Sequence, residues 1–131
     1  MDQKKYQKKI IASDLQDLAT ISALMSGAKA KISDMKFLPS SKIFLLSVER
    51  LKVENENDDK TIISSILRID LVSNVKSKNI DQNNQDLVLE LIAIDFLKNK
   101  ENYEINLIFN NNAHIALSTE VIDVTLEDLL N

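Results

Sequence analysis

The sequence predicts an α+β fold. One N-terminal helix packs on an antiparallel β-meander of six or seven strands, which forms either a strongly twisted sheet or a partly closed barrel. Three observations support this prediction. One stretch before residue 27 has the apolar spacing of a helix, the chain beyond it alternates apolar and polar residues, and short turn-forming segments separate the alternating runs. A chain of 131 residues suits one domain, so we assign residues 1–131 to a single α+β domain with a flexible tail at residues 1–7.

The helix is predicted for residues 14–26, after a short strand at residues 8–12. Ser13 and Gln16 have the spacing of a capping box, and the aspartates that follow Ser13 suit the positive end of a helix dipole. Gly27 ends the helix because glycine adopts a positive φ without strain. The apolar residues recur at steps of three and four and are expected to face the core: Leu15, Leu18, Ile21, Leu24 and Met25.

Two strands are predicted in the first half of the chain beyond the helix. Residues 29–37 alternate but change parity near Asp34, which indicates a bulge. Residues 38–41 form a turn because they contain the only proline of the chain. Residues 42–54 form the next strand, and the charged residues 55–60 form a loop after it.

Two further strands are long and strongly apolar. Residues 61–77 keep one parity until Val72 and Val75 change phase, so we expect this strand to bend. Residues 87–97 carry apolar side chains at both parities. A strand that is apolar on both faces is covered on both faces, so this strand is predicted to be central, with the helix lying across it.

The last strands are predicted from a turn and from β-branched residues. Residues 103–109 and 114–118 form a hairpin around the asparagines at 110–112, since asparagine tolerates the left-handed conformations of such a turn. Residues 119–130 fit both an alternating strand and a helical face. Their β-branched residues favour a strand, with a helical last turn left open. His114 alternates with core-facing neighbours and is expected to point outward.

The composition argues against several classes of function. With one glycine, one histidine and no cysteine, the chain cannot build a glycine-rich phosphate loop, a typical zinc site or a reactive thiol. The net charge of −4 argues against a nucleic-acid partner. No apolar run approaches the ~18 residues of a membrane span. The sequence therefore favours a non-enzymatic protein and predicts no catalytic residue, no cofactor, no metal site and no membrane partner.

The localisation is predicted from the first residues. Residues 1–9 are polar, and only two large apolar residues follow them, which is too few for the core of a signal peptide. We therefore expect the protein in the cytoplasm.

Two arginines are candidate ligand-binding residues. Arg50 and Glu54 share a strand face by parity, and so do Arg68 and Asp70. Each pair is either a cross-strand ion pair or an anchor for an anionic ligand, because a guanidinium group suits carboxylate and phosphate.

Two lysines and a group of carboxylates are the other charged candidates. Lys76 and Lys78 form a small basic ledge beside Asn79, where an anion could bind. No aromatic residues lie between them to stack on bases, so nucleic-acid recognition is not expected there. The densest carboxylate group matches no calcium loop and is expected to be a solvated face: Glu120, Asp123, Glu127 and Asp128.

Between residues 10 and 129 a series of short segments occurs in a set order. These segments are Lys9-Ile10-Ile11-Ala12, Asp17-Leu18, Ile21-Ser22-Ala23, Leu38-Pro39, Arg50 with Glu54, Val75-Lys76-Ser77-Lys78-Asn79-Ile80, Leu91-Ile92-Ala93-Ile94, Glu120-Val121-Ile122 and Leu126-Glu127-Asp128-Leu129. Together they resemble the uncharacterised alphaproteobacterial proteins of domain-of-unknown-function family 2948. The resemblance implies a small cytoplasmic bacterial protein and brings no activity, cofactor or site residue with it.

The sequence leaves two functions open. The first is a non-enzymatic interaction or accessory module that presents a sheet edge or a helix–sheet groove to a protein partner or to a second copy, as in a homodimer. The second is a small protein that binds an anionic ligand, or a weak enzyme, with arginine and carboxylate groups around a cavity. A cavity of roughly 300 Å³ with converging polar groups would favour the second function. A solid core with an apolar surface patch would favour the first.

Overall fold

One helix and ten strands form in the residues that the computed structural model describes, 7–53 and 60–129. The helix, α1, spans Leu15–Met25, and a single 3₁₀ turn spans Ile32–Asp34. The strands are β1 Gln7–Ala12, β2 Lys29–Lys31, β3 Met35–Leu38, β4 Ile43–Val53, β5 Lys60–Ile69, β6 Val72–Lys78, β7 Val88–Asn99, β8 Asn102–Phe109, β9 His114–Thr119 and β10 Val124–Leu129. The predicted tail and the predicted loop at 55–60 lie outside the described residues, apart from Gln7 and Lys60, which begin β1 and β5.

The strands form one antiparallel sheet in the order β1-β10-β5-β4-β2-β7-β8-β9-β6, and β3 pairs with β4 beside this path. Only parts of the sheet follow a meander, because β1 pairs with β10 and β2 lies between β4 and β7. The prediction of six or seven strands is therefore corrected to ten in the described part of the chain. The sheet is not closed, and β1 and β6 are its two ends.

Two predicted strands are each divided in two, which explains most of the additional strands. Residues 61–77 form β5 and β6 because Leu71, between them, has a φ of 60° and turns the chain. Residues 29–37 form β2 and β3, with the 3₁₀ turn where a bulge was expected. The carboxylate of Asp34 stabilises this turn by accepting the backbone N–H of Lys31 at 3.4 Å.

The long apolar strand β7 lies centrally in the sheet, as predicted, but it is not covered along both faces. Leu89 and Leu91 are buried, whereas Ile94 is the buried residue further along. The register of β7 against β8 shifts between Leu91 and Ala93, so a bulge moves the buried side of the strand from one parity to the other. Ile92 is 50% exposed, so apolar residues at both parities do not mean that both faces are covered here.

Helix α1 lies against β7, as predicted. Asp14 caps the helix by accepting the N–H of Asp17 at 2.8 Å, so the expected cap at Ser13 is wrong by one residue. Gly27 has a φ of 88° and ends the helix. The hydroxyl of Ser22 accepts the N–H of Ile94 at 2.9 Å and joins the helix to the strand. The apolar stripe buries three of its five residues: Leu18, Ile21 and Met25.

The C-terminal segment and the last hairpin follow the sequence closely. The strand alternative is confirmed for residues 124–129, which form β10. Strands β8 and β9 form the predicted hairpin, and Asn111 and Asn112 both take the left-handed conformation in its turn, with φ of 59° and 60°. One contiguous cluster of apolar side chains forms the core. Five polar residues are also buried in the described part of the chain: Arg50, Ser65, Asn106, Thr119 and Asp128.

Candidate functional site

Three of the buried polar residues form one cluster on the core side of the sheet. The guanidinium group of Arg50 donates from Nη2 to Oδ2 of Asp128 at 2.7 Å and from Nε to Oδ1 at 3.3 Å. Its Nε also donates to Oγ of Ser65 at 3.1 Å, and the Ser65 hydroxyl donates to Oδ1 of Asp128 at 2.6 Å. The side chains of Arg50 and Asp128 are only 5% and 2% exposed, so this ion pair is shielded from water.

Strand register brings the cluster together. Ser65 on β5 lies opposite Asp128 on β10 and opposite Val48 on β4. Arg50 lies two residues beyond Val48 on β4, so the two side chains point to the same face of the sheet. All members therefore project from neighbouring strands towards the core, where a charged group persists only when it is paired and hydrogen-bonded.

The structure pairs Arg50 with a carboxylate from another strand. Its predicted partner, Glu54, lies outside the described residues, and the partner found is Asp128. The Asp128 carboxylate occupies the Nε–Nη2 edge of the guanidinium with both of its oxygens. Asp128 was expected on a solvated face, and that expectation is wrong because Asp128 has the parity of the buried residues Val124 and Leu126.

The second predicted pair, Arg68 and Asp70, forms on the opposite face of the sheet. Arg68 donates from Nη2 to Oδ1 of Asp70 at 2.9 Å, and its Nε lies 3.1 and 3.2 Å from the two carboxylate oxygens. The hydrogen bond and the charge of Asp70 raise the pKa of Arg68. The Arg68 side chain is half exposed on the outer face, whereas the Arg50 side chain is buried on the core side. The two predicted arginines therefore lie on different faces and cannot share a site.

The predicted basic ledge lies on the outer face of the edge strand β6. Lys78 lies opposite His114 on β9, and both line a groove of about 630 Å³ with Asn79 and the asparagine turn. Nδ2 of Asn79 donates to the backbone oxygen of Asn112 at 2.9 Å and joins the two turns. Lys76 lies on the same exposed face but does not line the groove.

His114 points outward, as predicted, but it is half-buried and has a partner. Its Nε2 lies 2.7 Å from Oδ1 of Asn106 on the neighbouring strand β8. Asn106 is only 8% exposed although it lies on the outer face, so neighbouring side chains cover this short polar contact. The sequence does not single out Asn106, because its position between the buried Ile105 and Leu107 is that of a surface residue.

The outer face of the sheet also carries exposed apolar side chains. Leu51 on β4 lies opposite Ile62 on β5, and these two residues are 61% and 66% exposed. Leu129 on β10 lies opposite Ser64. Ile62 and Ile66 lie two residues on either side of Ser64 on β5, so both are diagonal neighbours of Leu129. We name these residues, of which Ile66 is half-buried, the outer apolar strip: Leu51, Ile62, Ile66 and Leu129. An open groove of about 400 Å³ extends from Ile66 and Leu129 of the strip to residues of β2, β4 and β7.

The described residues form neither a metal-binding cluster nor a membrane-spanning helix. No group of three or more His, Asp or Glu side chains in this part of the chain could hold a metal ion. The one helix found there is too short to cross a membrane. The carboxylates of the C-terminal segment lie on different faces and do not form one site: Glu120 is exposed, Asp123 and Glu127 are half-buried, and Asp128 is buried.

Comparison with known proteins gives one match. A family model described as "Protein of unknown function (DUF2948)" matches residues 8–131. Neither a curated protein nor a solved structure matches the chain. The match covers every described strand except the first residue of β1 and agrees with the resemblance noted in the sequence.

Proposed function

We propose that this chain, which belongs to the DUF2948 family, is a non-enzymatic interaction module that forms a homodimer through the outer apolar strip. The members of this family are described as proteins of unknown function, so the proposal is drawn from the surface of the chain itself. The observation that supports this proposal is the direct pairing of Leu51 with Ile62, both of them mostly exposed on a sheet face. Contiguous apolar surface of this kind is typical of interaction sites, since each Å² removed from water contributes about 25 cal/mol.

The charges around the strip favour a second copy of the chain as the partner. Lys29 and Lys31 lie on β2 at one side of the strip, and Glu127 lies on β10 at the other side. In a twofold dimer the same patch meets itself in the opposite direction, so the lysines of one copy approach the glutamate of the other. Charges of both signs border the strip, since Glu49 lies opposite Lys29 and Lys9 lies opposite Glu127, and such a mixed border can pair with itself across a twofold axis.

Sedimentation equilibrium over a wide range of concentrations tests this proposal. We expect the unmodified chain to dimerise and the variant Ile62→Lys to stay monomeric, because a lysine at the centre of the strip would be buried without a partner. Leu97→Lys is the matched control: Leu97 is also 57% exposed, but it lies on β7, away from the strip. The proposal is wrong if the unmodified chain is a monomer throughout, or if both variants dimerise equally well.

Anion binding at the basic ledge is the second candidate function. It is favoured by one observation, the position of Lys78 beside His114 and Asn79 in the groove of about 630 Å³. Titration with inorganic phosphate, followed by the backbone amide signals of the asparagine turn, tests this candidate. Saturable shifts that disappear in Lys78→Gln and remain in Lys36→Gln, an exposed lysine of β3 outside the groove, would support it. Shifts that persist in Lys78→Gln would exclude it.

We also propose that the module acts in the bacterial cytoplasm. A chain without cysteine forms no disulfide, so its fold does not depend on an oxidising compartment. Fractionation of the native cells, followed by detection of the chain with an antibody, tests the location. Recovery in the membrane or extracellular fraction would contradict it.

A further inference from the structure

A cleft lies between two strands that do not pair with each other, β3 and β6. Met35 and Phe37 of β3 form one wall, and Val75 and Ser77 of β6 form the other. The floor consists of three buried core residues: Ile32, Phe44 and Ile115. The cleft therefore opens the apolar core to the surface between two strand edges and has a volume of about 300 Å³.

Backbone hydrogen bonds close both ends of this cleft. At one end, where β6 begins, the N–H of Val72 donates to the oxygen of Lys42 at 2.8 Å. At the other end, the N–H of Ser33 donates to the oxygen of Gln85 at 3.1 Å. An extended peptide lying along the strand edges would collide with these connections. The cleft therefore admits a compact molecule that enters from its open side. The volume of the cleft is large enough for about ten water-sized groups.

The lining of the cleft determines the charge of the molecule that fits it. None of the described residues that line the cleft is ionisable. A ligand that placed a charge inside would lose its hydration without gaining an opposite charge, which is strongly unfavourable. Two aromatic rings and a methionine thioether line the walls and the floor, and such groups pack well against a flat apolar body.

Polar groups at the mouth of the cleft determine the rest of the ligand chemistry. Nε2 of Gln82 donates to Oγ of Ser77 at 3.0 Å, and Nε2 of Gln85 donates to the backbone oxygen of Gln82. In the described part of the chain the side-chain oxygens of both glutamines accept no hydrogen bond. The mouth thus offers acceptors to a neutral N–H or O–H group.

We propose that this cleft binds a small uncharged molecule with a flat apolar body and one hydrogen-bond donor, such as an aromatic amide or an aromatic alcohol. The body lies against Phe44 and Ile115, and the donor reaches the amide oxygen of Gln82 or Gln85. This site is independent of the proposed dimer, because the outer apolar strip lies on β4, β5 and β10 and shares no residue with the cleft.

Titration of the full chain with benzamide and with benzoate tests the proposal. The two probes share shape and size, but benzoate carries a charge and lacks the donor. We expect benzamide to shift the methyl signals of Met35, Val75 and Ile80 in NMR spectra and to saturate, and benzoate to bind at least ten-fold more weakly. Equal binding of the two probes, or no saturable shift with benzamide, overturns the proposal.

A variant that fills the cleft checks the location. Ser77→Phe places a ring in the mouth without removing any core side chain, since Ser77 is exposed. Ser73→Phe is the matched control, because Ser73 is exposed on the same strand outside the cleft. We expect benzamide binding to fall at least ten-fold in Ser77→Phe and to stay unchanged in Ser73→Phe, provided that both variants keep the dispersed amide spectrum of the fold. Undiminished binding in a folded Ser77→Phe would contradict the assignment.

Discussion

Arg50 and Asp128 are separated by 78 residues in the sequence, and their side chains meet at 2.7 Å in the interior. The pair joins β4 to β10 across β5, where Ser65 bonds to both partners. A shift of one residue in either strand pairing would move these side chains to opposite faces of the sheet and break this buried ion pair. The cluster therefore favours a single register of the β10-β5-β4 part of the sheet.

Removal of the arginine tests the energetic role of the pair. We expect Arg50→Met to lower the free energy of unfolding by about 3–5 kcal/mol, because the buried Asp128 carboxylate loses the guanidinium to which both of its oxygens are hydrogen-bonded. Urea denaturation followed by circular dichroism measures the change. A loss below about 1 kcal/mol would indicate that the pair acts as an exposed one does.

The double variant separates specificity from stability. Arg50→Met combined with Asp128→Leu removes both charges, so we expect it to be more stable than Arg50→Met alone. Amide exchange on β10 then reports whether the strand keeps its register. The double variant could instead be less stable than both the unmodified chain and Arg50→Met. In that case the ion pair itself contributes net stability, beyond preventing an unpaired buried charge.

The exposed pair on the opposite face should behave differently. We expect Asp70→Asn to lower the free energy of unfolding by less than about 1 kcal/mol, because water screens the half-exposed Arg68. Asp70 raises the pKa of Arg68, so the contribution of this arginine is complete below its ordinary pKa and is lost only as the pH rises through the raised value. Around neutral pH we therefore expect no dependence of stability on pH from Arg68, which urea denaturation in a series of buffers can check.

The sequence predicted which residues face the core more reliably than which strands are neighbours. Alternation located most strands, and the helix boundaries were correct to within one residue because its cap and Gly27 are local signals. The pairing of β1 with β10 has no local signal, since it depends on register between the two ends of the chain. The β7 bulge is equally hidden in the sequence, because a bulge changes the buried parity without requiring a special residue.

The contacts of the candidate site residues were also hard to predict from the sequence, although one signal pointed to the buried ion pair. Arg50 continues the parity of Phe44, Leu46 and Val48 on β4, and all three are buried. Asp128 continues the parity of the buried residues on β10. Two opposite charges at core parity on different strands indicate a buried ion pair. Sequence alone could not say that β5 would bring them within reach.

The helix stripe gives a prediction for the core. We expect Leu18→Ala to lower the free energy of unfolding by about 2–4 kcal/mol, since Leu18 is fully buried and its removal leaves a cavity. Leu24→Ala on the same helix is the matched control, because Leu24 is 37% exposed and should lose much less. Thermal and urea unfolding of both variants measure the difference. A loss under about 0.5 kcal/mol for Leu18→Ala would mean that the stripe does not pack in the core.

Leu71 gives the last prediction, because its backbone is strained. It turns the chain between β5 and β6 with a φ of 60°, where a leucine is less stable by about 1–2 kcal/mol than in its usual conformations. Asparagine tolerates this conformation, and the Leu71 side chain is 39% exposed, so little packing is lost. We expect Leu71→Asn to raise the free energy of unfolding by about 0.5–1 kcal/mol, measured by urea denaturation.

Leu71→Ala separates strain from packing, since alanine loses the side-chain contacts but keeps the unfavourable φ. We expect this variant to be less stable than both the unmodified chain and Leu71→Asn, because a Cβ atom near the following carbonyl causes the strain and alanine retains that atom. If the asparagine and alanine variants are equally destabilised, the contacts of Leu71 outweigh its backbone strain. In that case packing at this position, and not the turn, determines where β5 ends and β6 begins.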